Sequence, residues 1–287
     1  MTSPLVRQAH DATNVLHSLI YFAPEAEQHF TAAGLEPGRM SYFAGRAAPM
    51  GAVGAGVVTA TFYNFSPELV AAAIPRAWRL ATPAAVLEAR FAAADAALRR
   101  LLGPELIAAP DLVTLAGLVR SAAAGCAPEG RPLYAGHADL PWPDGGPHLD
   151  LWHALSLLRE HRGDGHVAAL TAAGLSGLEA LVTHTATGQG FIPEFARASR
   201  GWAAADWDGA VARLTARGLL AGAGELTAAG LEVRAEVERD TDRMAAPPWQ
   251  HLGDEGTEQV IQLGRQLSRA VVKAGAFPAD GVFARRR

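Results

Sequence analysis

The chain has 287 residues, 49% hydrophobic and 19% charged, with a formal net charge of −4. That balance excludes a nucleic-acid protein built on one large basic surface, and the single cysteine, Cys126, excludes an intramolecular disulfide and a cysteine-based zinc site. The length predicts two domains with sizeable cores. Cysteine scarcity suits a reducing cytoplasm. No apolar stretch of signal-peptide form follows Met1–Gln8. The flattest uncharged run, residues 47–65, is diluted by Pro49, Gly51, Gly54 and Gly56, so no membrane span is predicted and a cytoplasmic protein is expected. Lys273 is the only lysine among 25 basic residues. With the abundant alanine and glycine this reads as genomic codon bias, and it raises the helical expectation.

Residues 11–22 place Val15, Leu16, Leu19, Ile20 and Phe22 at helical spacing. Pro24-Glu25 opens a second helix that runs to Gly34. Ser66-Pro67-Glu68 and Thr82-Pro83 repeat that start, a capping hydroxyl before proline at the first helical position. The helix from Pro83 is expected to end near Gly103, and the next to run from Pro104 to about Ala124 with a bend at Pro110. Residues 125–147 crowd glycine and proline and read as a linker. The expected domains are therefore 1–125, a linker over 126–147, and 148–287.

The second half opens with a helix over His148–Arg162, stopped by Gly163, with Asp164 capping the next. Ser176 and Glu179 have capping-box spacing, and that helix ends near Gly188. Asp206–Arg217 is helical, Gly218–Thr227 is a tight hairpin, and Thr227 caps a long helix to about Ala245. Pro247-Pro248-Trp249 breaks it before a last helix over Glu255–Ala274.

Five of the ten histidines fall between His148 and His184. The ligand-binding candidates there are His153, Glu160, His161, Arg162, Asp164, His166 and His184. On a helix His153 and Glu160, seven apart, share a face. Three readings stand side by side: helix caps and turns, a pocket with histidines as acid/base or hydrogen-bonding groups, and a metal site. No H-E-x-x-H spacing occurs, so no metal ligand is assigned. A second set is His17, Tyr21 and Arg46. Arg46 stands in an apolar stretch, where an arginine needs a partner; Glu25, Glu68 or a ligand anion would serve. No nucleophile motif or dinucleotide fingerprint appears, and no cofactor is assigned.

The order Val211-Ala212-Arg213-Leu214, Arg217-Gly218-Leu219, a minimal hairpin, then Leu226-Thr227-Ala228-Ala229-Gly230 resembles the end of a MarR-type winged helix-turn-helix. There a recognition helix leads to a wing and then to a dimerisation helix. Over nearly the whole chain, Arg46–Gly51, Phe62-Tyr63-Asn64-Phe65, Arg159–His166 and Thr241-Asp242 with Pro248-Trp249 resemble a family of actinobacterial proteins usually labelled MarR-like or helix-turn-helix. The resemblance implies a mainly α fold with two helical domains, the C-terminal one a winged helix with a short β-wing.

Charge weakens the DNA expectation. Between Ala203 and Ala245 eight acids face five arginines, and the wing carries only Glu225. DNA affinity comes largely from cations meeting phosphates. Arg197, Arg200, Arg213 and Arg217 are the DNA-binding candidates. The expected function is a small-molecule-binding protein or ligand-responsive transcriptional regulator with a weakened DNA surface. The alternative is an enzyme using His153, His161 and His166 for acid/base or metal chemistry. Expected partners are a small-molecule ligand, with DNA and a second copy of the chain as open alternatives.

Overall fold

The computed structural model describes residues 3–222, 224–278 and 282. The elements of the first half are α1 Ser3–Ser18, α2 Pro24–Ala32, α3 Arg39–Ala47, α4 Ala55–Phe62, α5 Pro67–Ala73, α6 Ala77–Leu80, α7 Pro83–Ile107, α8 Pro110–Ala123 and α9 Pro132–Ala138. There follow α10 Pro147–Ala172, α11 Gly177–Thr185, α12 Pro193–Ser199, α13 Ala204–Ala216, β1 Leu220–Ala221, β2 Glu225–Leu226, α14 Ala228–Met244, α15 Pro247–Leu252 and α16 Asp254–Lys273. The chain is mainly helical, as its patterning predicts.

The start signals are used as capping chemistry requires. Ser66 Oγ accepts from the Leu69 N–H at 3.1 Å, and Thr82 Oγ1 from the Ala85 N–H at 3.2 Å. Ser176 and Glu179 exchange bonds at the start of α11 in a full capping box. Thr227 Oγ1 accepts from the Gly230 N–H at 3.1 Å at the start of α14. Gly103, at φ +73°, interrupts α7 where an end was expected. Pro110 starts α8 rather than bending a helix begun at Pro104, and α7 and α8 meet at 117°.

Two compact units form, and both are discontinuous in sequence. Of the described residues, the first takes those of Met1–Val53, Ala73–Gly165 and Asp242–Pro278; the second takes those of Gly54–Ala72, His166–Thr241 and Ala279–Arg287. The stretch 126–147, expected as a linker between consecutive domains, lies within the first unit and supplies α9.

In the first unit α1 packs along α16, α2 on α7, and α8 on α15 and α16. Ser268 Oγ donates to the Ala12 carbonyl at 2.7 Å. A Cβ at Gly264 would come 3.1 Å from that carbonyl oxygen, so glycine permits the close approach of α1 and α16. Trp152, Leu16, Leu19, Leu98, Leu112 and Leu115 are fully buried at the centre. Each such leucine contributes about 1.5–3 kcal/mol relative to an exposed one.

The Gly163-Asp164-Gly165 run is not a turn. α10 passes through it unbroken to Ala172. Tertiary contacts outweigh the local glycine signal, whose cost in a helix is about 1 kcal/mol per residue. A Cβ at Gly165 would lie 2.8 Å from Arg131 Nη1. Arg131 crosses there and donates to the His161 and Met244 carbonyl oxygens. Asp164 caps α9 rather than a following helix: its Oδ2 accepts from the N–H groups of Leu133 at 3.0 Å and Tyr134 at 2.9 Å.

In the second unit α12 and α13 are joined by residues 200–203, with Gly201 at φ +74° making the turn. The four-residue connection with its turn glycine is of the length that joins the helices of a helix-turn-helix. Trp202 Nε1 donates to the Asn64 carbonyl at 2.9 Å and pins the turn. Tyr63, at φ +58°, donates from its hydroxyl to the Leu175 carbonyl. A Cβ at Gly177 would fall 1.8 Å from the Tyr63 carbonyl oxygen, so no side chain fits at that helix start. After α13 the antiparallel pair of β1 and β2 sets Leu220 opposite Leu226 and Ala221 opposite Glu225. Among the described residues no single helix is long and apolar enough to cross a membrane.

Candidate functional site

The polar centre of the first unit is built around Glu160 on α10, which is 1% exposed. Arg46 Nη2, from α3, donates to Oε2 at 2.9 Å. Arg159 Nη1 donates to Oε1 at 2.8 Å and to Oε2 at 2.7 Å. Burial alone would raise the carboxyl pKa, but Arg159 and Arg46 outweigh it and hold Glu160 well below the usual carboxylate range. Arg46 Nη1 also donates to the Tyr42 hydroxyl at 2.9 Å. The partner of Arg46 is therefore Glu160; Glu25, one of those expected, is held by Arg100 instead.

Around this pair several buried polar atoms have no hydrogen-bond partner. His17 is fully buried, stacks on Trp152 at 5.7 Å and 10°, and meets Tyr21 edge-on; neither of its ring nitrogens is bonded. Burial, with Arg159 nearby, keeps it neutral, its pKa well below the usual histidine value. The Tyr21 hydroxyl is likewise unbonded. His137 Nδ1 lies 2.8 Å from the Leu133 carbonyl, which only accepts, so the proton sits on Nδ1 and Nε2 is a buried lone pair without a donor. Arg90 donates to the Gly45 carbonyl at 2.9 Å and lies over Trp152 at 5.0 Å, while its Nη2 finds no acceptor. Each unmet buried group costs about 1–3 kcal/mol. Their gathering in one place makes this centre the candidate site of the first unit. Tyr21 and Tyr42 also line an open cleft of about 900 Å³ with Phe22, Phe30 and Arg39.

The other candidates of this unit have separate surroundings. His153 meets Trp142 edge-on at 4.9 Å and Phe91 at 5.7 Å, and burial pushes its pKa down to about 4. His161 meets Tyr134 edge-on at 5.3 Å and is pushed to about 4 by burial, with Arg131 adding to the shift. Arg162 pairs with Asp242 at 2.8 Å. The Asp164 carboxyl is raised to about 6 by burial, although the two N–H groups it accepts from oppose the shift. His166 and His184 belong to the second unit, where His166 Nδ1 lies 2.9 Å from Thr241 Oγ1 and burial lowers the His184 pKa. Among the described residues no group of three or more His, Cys, Asp or Glu could hold a metal ion.

Tyr42, Arg90 and His137 are absent from the sequence-derived set. Arg90 left one trace: it occupies the face of α7 that buries Val86, Ala93 and Ala97, where a cation is out of pattern.

The second unit carries the α12–α13 pair and the four arginines expected to meet DNA. Arg197 Nη1 donates to the Trp202 carbonyl at 3.3 Å, within the turn. Arg200 lies over Phe65 at 4.9 Å and over Phe191 at 5.1 Å. On α13, Arg213 Nε lies 3.2 Å from Glu179 Oε1; Arg217 Nη1, just beyond the helix, is 3.6 Å from Glu179 Oε2. Arg217 also donates to the Gly174 carbonyl at 3.0 Å. One carboxylate thus serves two arginines and a helix cap. The first turns of α13 expose Ala204, Ala205, Asp206 and Asp208. Those are the positions from which a recognition helix reads base edges; an acid there can only accept, as from a cytosine amino group.

A family model described as "Helix-turn-helix family" matches residues 6–278. No curated protein and no solved structure matches the chain significantly.

Proposed function

The chain belongs to this helix-turn-helix family, and from that premise we propose that it is a ligand-responsive regulator of MarR-like, winged-helix form with a weakened DNA surface. The order of α12, turn, α13, hairpin and α14 supports the winged-helix reading. One observation carries the weakness: Glu179 holds both Arg213 and Arg217, while Asp206 and Asp208 stand exposed at the start of α13. The ligand is a small organic molecule docking in the cleft of the first unit against Tyr21 and Tyr42, with Arg46 and Glu160 behind Tyr42. A cytoplasmic location and a homodimer through the α14 region complete the proposal.

Fluorescence anisotropy with labelled duplex DNA over a salt series tests the DNA half. The expected result is micromolar or weaker binding near physiological salt, with a log–log slope of about −2, because Glu179 holds two of the four candidate arginines. Nanomolar binding to a random duplex with a slope of about −6 or steeper would overturn it.

A further inference from the structure

The cleft between α2 and α3 carries the chemistry of its own occupant. Four aromatic side chains line it: Tyr21, Phe22, Phe30 and Tyr42. One cation joins them, Arg39, the first residue of α3. Arg39 is half-buried, and burial lowers its pKa. Among the described residues it has no carboxylate partner. Other arginines of this unit are provided for: Arg46 and Arg159 hold Glu160, Arg76 holds Glu36, and Arg100 holds Glu25. A guanidinium taken partly out of water without a counter-charge is unfavourable, and a carboxylate brought in from outside would supply the missing partner.

Two features narrow the class. The acid in the lining is Glu27, which is exposed and hydrated. One cation facing one hydrated acid suits a single negative charge and disfavours a doubly charged phosphate. Shape supplies the rest. Arg39 and Tyr42 are three apart on α3 and share a face. Tyr42 in turn meets Tyr21 at 5.3 Å. The α2 wall is one stripe, Pro24, Glu27, Gln28 and Thr31, which extends over about 10 Å at 1.5 Å per residue. A head group at Arg39 therefore has an elongated apolar track before it, over the rings of Tyr42 and Tyr21. We propose that the ligand of this cleft is a medium-chain acyl carboxylate, its head group paired with Arg39 and its chain lying over Tyr42 and Tyr21. The assignment rests on the cleft being the ligand site, and it adds the class of ligand and the residue that selects it.

The test titrates the full chain with octanoate and with 1-octanol by isothermal titration calorimetry. Octanoate should bind saturably and at least about tenfold more tightly than octanol, the worth of one charge-assisted pair. In Arg39→Gln the octanoate affinity should fall to that of octanol, with octanol binding and the melting temperature unchanged, because Arg39 has no partner to strand. Thr31→Trp, which fills the cleft from an exposed position on the α2 wall, should weaken both. Equal affinities for octanoate and octanol, or a preference that survives Arg39→Gln, would overturn the carboxylate and leave the cleft to a neutral ligand. No binding of either compound, or binding untouched by Thr31→Trp, would remove the cleft as the ligand site and the acyl carboxylate with it.

Discussion

Stability should fall steeply as the pH drops below about 6.5. His137, His153 and His161 are all buried, and burial pushes their pKa values to about 3, about 4 and about 4. In the unfolded chain the same groups take up protons near 6.5. A folded pKa below the unfolded one means that the stabilisation is complete above about 6.5 and is lost as the pH falls towards the folded values. Each ring can remove up to about 1.4 kcal/mol per pH unit across that window. Three rings acting together can remove up to about 8–12 kcal/mol within two to three units, most of a typical stability of about 5–15 kcal/mol. Asp164 works the other way. With its pKa raised to about 6, it gains its proton first in the folded state and adds stability as the pH falls from there. One such group offsets only part of the loss. Urea melts at pH 8, 7, 6 and 5 check this: the midpoint should hold between 8 and 7 and drop by 5. Equal midpoints at 7 and 5 would show that these rings are not held neutral by burial.

Glu160→Gln should be among the most damaging single substitutions. The glutamine keeps the shape and removes only the charge. Arg46, whose side chain is 8% exposed, is then left buried without its counter-charge, and Arg159 loses the same partner. Breaking a buried pair from one side costs about 3–5 kcal/mol. Arg46→Met combined with Glu160→Gln should cost less than the sum of the two singles, because the second change removes a group already stranded by the first. Denaturant midpoints at unchanged m-value measure both effects. An additive double variant would mean that Arg46 and Glu160 do not depend on each other.

What the sequence made legible was local. Thr82-Pro83, Ser176 with Glu179, and Thr227 before Ala228 each place a cap within three residues of the N–H groups it serves, and each is used as written. The hairpin between α13 and α14 is equally local, with Gly218, Gly222 and Gly224 all at positive φ. Non-local contacts decided the rest. Gly163 and Gly165 signal a stop, yet α10 continues because Gly165 makes room for Arg131 from a distant segment. The proline- and glycine-rich 126–147 stretch hides α9, a helix of 7 residues whose first N–H groups are met by Asp164, about thirty residues on. Arg46 and Glu160 lie 114 residues apart, a separation that no periodicity reports. The histidines on α10 looked like one cluster by count, but His153 and His161 each pack against a different aromatic ring, which leaves the acid/base reading without a shared centre.

The most direct measurement compares duplex binding by the native chain and by Glu179→Gln. Glutamine can still accept the Ser176 N–H, so α11 keeps its cap. Arg213 and Arg217 are then released; their own side chains are largely exposed and regain water, while the buried Glu179 position loses its charge and keeps its cap, so little stability should be lost. Affinity should rise about tenfold near physiological salt, and the salt slope should steepen by about one to two. If affinity and slope are unchanged while the melting temperature holds, the two arginines are not withheld from DNA by Glu179, and the weakness of this surface has another origin.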